Sequence, residues 1–174
     1  ILCGLMGVLG ACSLRSQSLS SQSLHLAVEA NQDLEGFVGV AAEDCGVDFR
    51  NDLNPLKGAA NRVLFNGSGL ALGDLNEDGM PEVFFCAIDG ENALFANQGS
   101  WQFQSCALPT SLRNPGVPSR GAVFADIDGD RDLDILLATV GRGVLVFLNR
   151  GSFRFEDASA KAGLDTRFSA SGLT

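Results

Sequence analysis

The chain has 174 residues, 45% hydrophobic and 19% charged, which is enough apolar content to bury a core and too much for a disordered tail. Its net charge of −9 argues against nucleic acid or an anionic membrane surface as a partner. The 21 glycines fall between short apolar runs, tyrosine is absent and 12 phenylalanines supply most of the aromatic content, a composition that points to a turn-rich β protein.

In chain order, residues 1–11 come first: apolar, punctuated by glycine, about as long as a signal-peptide core and too short to span a bilayer. The run ends in Leu9-Gly10-Ala11-Cys12, which resembles a bacterial lipobox, with small residues before the Cys that receives lipid. The resemblance implies that residues 1–12 are a signal, that Cys12 is lipidated, and that the protein is exported to the bacterial periplasm or cell surface, touching membrane only through that anchor. An ordinary secretory signal with an incidental Cys is the alternative. With no initiator Met or basic stretch ahead of it, the natural start is expected upstream. Residues 13–36, rich in Ser and Gln in their first half, read as a polar tether, and residues 37–68 as a lead-in segment with a strand.

Two acidic loops follow, Asp74-Leu75-Asn76-Glu77-Asp78-Gly79-Met80-Pro81-Glu82 and Asp126-Ile127-Asp128-Gly129-Asp130-Arg131-Asp132-Leu133-Asp134. Each has carboxylate or amide side chains at positions 1, 3, 5 and 9, a spacing that wraps oxygens around a hard cation, with the position-7 carbonyl as a further ligand. Two Ca²⁺ ions are therefore expected, and part of the acidity reads as ligand rather than solvated surface. An EF-hand would need an acid at position 12, where Phe85 and Leu137 stand, and no amphipathic helix flanks either loop. Asp/Gly-rich turns without an ion would leave close carboxylates repelling one another.

The loops lie 52 residues apart, and the same offset aligns residues 69–103 with 121–155 without a gap. Identities fall at structural punctuation, among them Gly69/Gly121, Asp74/Asp126, Phe95/Phe147, Asn97/Asn149 and Gly99/Gly151. A β-rich period of that length is about one four-stranded propeller blade. The predicted strands are 69–75, 82–87, 93–97 and 101–105, then 121–127, 134–140, 144–149 and 153–157, with turn chemistry at Asp89-Gly90, Asn97-Gln98-Gly99, Gly141-Arg142-Gly143 and Asn149-Arg150-Gly151. The first blade is placed at 69–106, the second at 121–157, connections at 107–120 and 158–171, and the start of a third blade at 172–174. Upstream, residues 39–48 echo the inter-blade residues 156–165. Two blades cannot close a propeller, so a longer array is expected.

The order of a Gly-led strand, an acidic loop, an apolar strand and then Asn-x-Gly-Ser-aromatic-x-Phe resembles FG-GAP/VCBS repeats, the calcium-binding propeller blades also found in integrin α subunits. The segments Phe155-Glu156-Asp157-Ala158 through Ala162-Gly163-Leu164, and Asn66-Gly67-Ser68-Gly69, are most similar to bacterial proteins of the cartilage-acidic-protein/UnbV type, whose repeats usually precede an ASPIC/UnbV domain. The resemblance implies an all-β propeller of integrin-α-like type. It also implies two calcium sites, with the side chains of Asp74, Asn76, Asp78 and Glu82 and the Met80 carbonyl in the first. The second takes Asp126, Asp128, Asp130 and Asp134 with the Asp132 carbonyl. Position 6 departs between the copies, Gly79 against Arg131, where a sharp turn favours a residue tolerating positive φ and where Arg131 would set a cation beside the ion.

Cys45, Cys86 and Cys106 stand where the other copy has Ala, which favours free, buried thiols, with a Cys86–Cys106 bridge as the alternative. Trp101 aligns with Phe153 and reads as blade core. No catalytic motif occurs, and the only histidine, His25, has no partner at a recognisable spacing, so the protein is expected not to be an enzyme. The expected role is an exported, calcium-stabilised module for binding, adhesion or scaffolding, with a protein or glycan ligand. The alternative is a non-catalytic domain of an exported polysaccharide-active enzyme.

Overall fold

Strands form here where short apolar runs meet turn residues, and each strand pairs with its neighbour in sequence. A computed structural model describes residues 39–164. The first sheet holds β1 (Leu70–Gly73), β2 (Glu82–Phe85), β3 (Ala93–Asn97) and β4 (Phe103–Cys106). The second holds β5 (Ser119–Ala125), β6 (Asp134–Thr139), β7 (Val144–Asn149) and β8 (Phe155–Asp157). Both are antiparallel with strands in sequence order, and the 52-residue offset is kept in register: Val83 faces Phe95 as Ile135 faces Phe147. All these elements belong to one compact unit that begins at Val40. The readings of a signal and lipobox at 1–12, of Cys12, of the tether with His25 and of a third repeat at 172–174 lie outside the described residues.

One apolar cluster runs through both sheets and includes Phe84, Leu94, Ile135, Leu137, Leu145 and Phe147, with Cys86 and Leu112. Fully burying one such large side chain contributes about 1.5–3 kcal/mol. The sheets meet through their first strands: the Gly69 N–H donates to the Arg120 carbonyl at 2.8 Å, and Phe124 and Leu133 crowd the bare α-carbon of Gly73. A Cβ at Gly73 would fall 2.8 Å from the Phe124 ring, so only glycine lets the sheets approach this closely.

The lead-in differs from expectation. Its described part forms no strand; instead a 3-10 turn (Glu43–Cys45), helix α1 (Pro55–Ala60) and a second 3-10 turn (Arg62–Asn66) pass along the first sheet. Asn54 accepts from the Leu56 N–H and Pro55 occupies the first helical position, a strong start signal for a helix. Phe49 stacks on Phe85 with ring centroids 4.8 Å apart. The predicted echo is visible in the backbone, since the 3-10 turn ends at left-handed Gly46 and helix α3 (Ser159–Ala162) at left-handed Gly163. Helix α2 (Thr110–Arg113) fills the connection between the sheets and buries Leu112. Each segment that follows a sheet turns back onto its third strand: Asn92 donates to the Arg113 carbonyl at 2.8 Å, and Val144 to the Leu164 carbonyl at 3.2 Å.

Trp101 is not core. It is 73% exposed, and β4 begins two residues later than expected, at Phe103. Gly99, Ser100 and Trp101 all have positive φ, as do Gly151, Ser152 and Phe153. The turn is the same in both copies, yet the Trp101 ring lies outside while Phe153 packs against the core. Cys45, Cys86 and Cys106 are free thiols, Cys86 fully buried and the other two half-buried. Burial pushes the Cys86 thiol up to about 12. Among the described residues, no helix is long and apolar enough to cross a membrane.

Candidate metal centre

The two acidic loops occupy equivalent places, one between β1 and β2, the other between β5 and β6. Each is folded by its own acids. Asp74 accepts from the Asp78 and Gly79 N–H groups at 3.1 and 2.8 Å, Asn76 Oδ1 accepts from Asp78 at 3.1 Å, and Asp78 accepts from the Met80 N–H at 2.8 Å. In the second loop Asp126 accepts from Gly129 and Arg131 at 2.7 and 3.2 Å, Asp128 from Asp130 at 3.3 Å, and Asp130 from Asp132 at 3.0 Å. Met80 and Asp132 thus enter through their backbone, held by the position-5 carboxylate.

These bonds force left-handed backbone at positions 4 and 6. Gly79 has φ +85° and Arg131 φ +80° at position 6, while Glu77 (+61°) and Gly129 (+83°) occupy position 4. Each loop has one glycine and one strained side-chain residue, in opposite order.

The structure brings together Asp126, Asp128 and Asp130, which present one carboxylate oxygen each within 4.8 Å of one another. Asp134 is not in this group. It opens β6, is fully buried, and spreads its two oxygens across the loop mouth, accepting from Ile127 and Asn149 N–H groups, each at 2.8 Å. Glu82 does the same in the first loop, accepting from Leu75 at 2.8 Å and Asn97 at 3.4 Å. Burial raises the Glu82 carboxyl, opposed by those two amides and reinforced by Asp78 and Asp74. Position 9 therefore clamps the loop to the third strand, a role the spacing alone did not reveal; the burial of an acid opening an apolar strand is the signal that could have found it.

Sequence reasoning also missed Arg150. It sits in the turn between β7 and β8, with Nη1 2.8 Å from Asp128 Oδ2 and 3.6 Å from Asp130 Oδ2, and Nε 2.9 Å from Glu156 Oε2. The hydrogen bond from Arg150 holds the Asp128 carboxyl below the usual range. The Asp132 amide draws Asp130 down, but desolvation and the charges of Asp128 and Asp132 outweigh it and leave that carboxyl raised. Arg131, the cation expected beside the ion, makes no ion pair among the described residues and contributes its backbone N–H.

The family signal coincides with this geometry. A model described as an FG-GAP-like repeat matches residues 74–137. The matched stretch opens on the first residue of the first loop and ends inside β6, under half of the chain. No curated protein matches the chain. FG-GAP-like repeats are non-catalytic modules that generally bind calcium, and the donor set here is of that kind: hard oxygens, three of them carboxylates converging from one loop.

Proposed function

We propose that this chain is a calcium-stabilised β-propeller repeat module that serves binding, adhesion or scaffolding rather than catalysis. The observation that carries the reading is the convergence of Asp126, Asp128 and Asp130 in a loop that recurs, in register, between the first two strands of both four-stranded sheets. The first ion would be held by Asp74, Asn76, Asp78 and the Met80 carbonyl. The second would be held by Asp126, Asp128, Asp130 and the Asp132 carbonyl. Glu82 and Asp134 complete the sets from the buried side: each carboxylate has about four acceptor sites, and two N–H bonds leave the remainder for an ion. Bound calcium supplies charge neutralisation and fixes loops that form one rim of the sheets, giving a rigid platform for a protein or glycan.

The proposal extends to export. The apolar start and the Leu9-Gly10-Ala11-Cys12 sequence support a lipid anchor at Cys12, and placement in the periplasm or at the cell surface supplies the calcium that weak sites need. Similarity to the cartilage-acidic-protein/UnbV type belongs to the same reading. Calorimetric titration of the full chain with Ca²⁺ tests the core of it: two binding events are expected, and absence of any heat at millimolar calcium sinks the calcium role. Labelling with palmitate in a bacterial host, lost in Cys12→Ser, tests the anchor separately.

A further inference from the structure

We infer that Arg150 is a built-in counter-ion of the second acidic loop, which takes a divalent cation only by displacing the Arg150 guanidinium onto Glu156. The inference rests on the calcium reading above. Asp128 is a carboxylate where the first loop has Asn76, so the second loop carries one more negative charge at position 3. In the first loop the Asn76 amide answers its own neighbour, donating from Nδ2 to Asp78 Oδ2 at 2.9 Å. The second loop has no such donor at position 3, and Arg150 takes that place from outside.

Its backbone is held for the task. The Arg150 N–H donates to the Arg154 carbonyl at 2.7 Å across the left-handed turn, which aims residue 150 at the loop. The equivalent residue in the first sheet is Gln98, whose amide turns to the Asn97 carbonyl at 3.4 Å, and the equivalent of Glu156 is Gln104. The cation and its second carboxylate thus occur together in one repeat and are both absent from the other. Arg150 is 41% exposed and Glu156 62% exposed, so the pairs are solvent-screened and weak enough for a divalent ion to replace. Glu156 gives the displaced guanidinium a partner to keep. The first loop fills at lower calcium than the second.

The test is calcium titration of the full chain, with melting temperature in EDTA and in calcium, for the wild type, Arg150→Gln and Arg150→Lys. The same titrations are run in an Asp74→Asn background that weakens the first site. Arg150→Gln is expected to tighten the second site about two- to fivefold, the effect of removing exposed ion pairs. It also lowers the melting temperature in EDTA while enlarging the rise on adding calcium, and Arg150→Lys falls between. An Arg150 that only props up the turn would lower both melting temperatures alike. Unchanged or weakened second-site binding in Arg150→Gln, with calcium still bound, overturns the inference and leaves the calcium reading intact. No calcium binding by any variant overturns both.

Discussion

Asn149 Nδ2 of the second sheet donates to the Leu75 carbonyl of the first at 2.8 Å, joining residues 74 apart in sequence. Leu75 lies inside the first acidic loop, and its N–H is held by Glu82, while the Asn149 N–H is held by Asp134. The same amide reaches the Leu133 carbonyl at 3.2 Å, and Asn149 Oδ1 accepts from Gly151. One buried side chain therefore ties both loops and the following turn together. Its counterpart Asn97 makes the same bond to its following turn, accepting from the Gly99 N–H at 2.9 Å, and reaches its own loop through the Pro81 carbonyl at 3.2 Å, but makes no cross-sheet bond among the described residues.

Replacing Asn149 with Ala is expected to cost about 2–4 kcal/mol, since it leaves one buried and two part-buried backbone groups without their partner, and a buried one costs about 1–3 kcal/mol. Asn97→Ala, which breaks no bond between the sheets and sits nearer solvent, should cost less. Urea denaturation of both variants measures the difference, and equal costs would show that the cross-sheet bond contributes nothing.

Relief of left-handed strain should be visible without calcium. Arg131→Gly and Glu77→Gly place glycine where φ is +80° and +61°. Each is expected to stabilise the protein by about 1 kcal/mol in EDTA. Placing Ala at Gly79 or Gly129 should do the reverse, and denaturation midpoints decide it.

Calcium should raise the melting temperature outright. Binding only to the folded loops adds about 2.7 kcal/mol per site when free calcium is about 100-fold above Kd. Comparing melts in millimolar Ca²⁺ and in EDTA checks this, and identical curves would refute it.

The Cys86 thiol gives an alkaline signature. Unfolded, it loses its proton around its ordinary value of 9.0; folded, it keeps it until about 12. Between those values the unfolded state binds fewer protons, so stability falls as pH rises, by about 1.4 kcal/mol per pH unit from this group. Cys86→Ala should flatten the slope of stability against pH in that window. A thiol reagent should meanwhile label Cys45 and Cys106 well before Cys86, since only Cys86 is fully buried.

Trp101 is the only tryptophan in the chain, which makes its surroundings directly observable. Its fluorescence should be red-shifted and readily quenched by acrylamide, and Trp101→Ala should change stability by no more than about 0.5 kcal/mol. A blue-shifted, protected signal would restore the core reading of this residue.

The contrast between Trp101 and Phe95 shows what the sequence made legible. Phe95, Asn97 and the third strands at 93–97 and 144–149 fall where the 52-residue repeat places them, because pairing on both sides fixes a central strand. The outer strands differ from their predicted bounds: β1 stops at Gly73 because the loop draws in Asp74 and Leu75, and β4 starts only at Phe103 because the left-handed turn claims Ser100 and Trp101. Ligand spacing was readable as a pattern of oxygens, and three of those oxygens converge in the second loop. The clamping role of Glu82 and Asp134 was not, since it depends on which strand the position-9 residue opens. Arg150 was invisible for a similar reason: it reaches Asp128 across 22 residues, through a turn whose direction only the pairing of β7 with β8 determines.

The return of each connecting segment to the third strand of its own sheet also bears on how the chain is made. Arg113 closes the first sheet at Asn92 before any residue of β5 is required. The strands of each sheet pair with their neighbours in sequence, so each sheet can form from its own segment of chain. As the chain leaves the ribosome, the first sheet can satisfy its own strands while the second is still unmade. The Leu75, Ala87 and Val63 carbonyls and the Gly69 amide wait for residues of the second sheet, so docking of the sheets is the step at which synthesis and folding must meet.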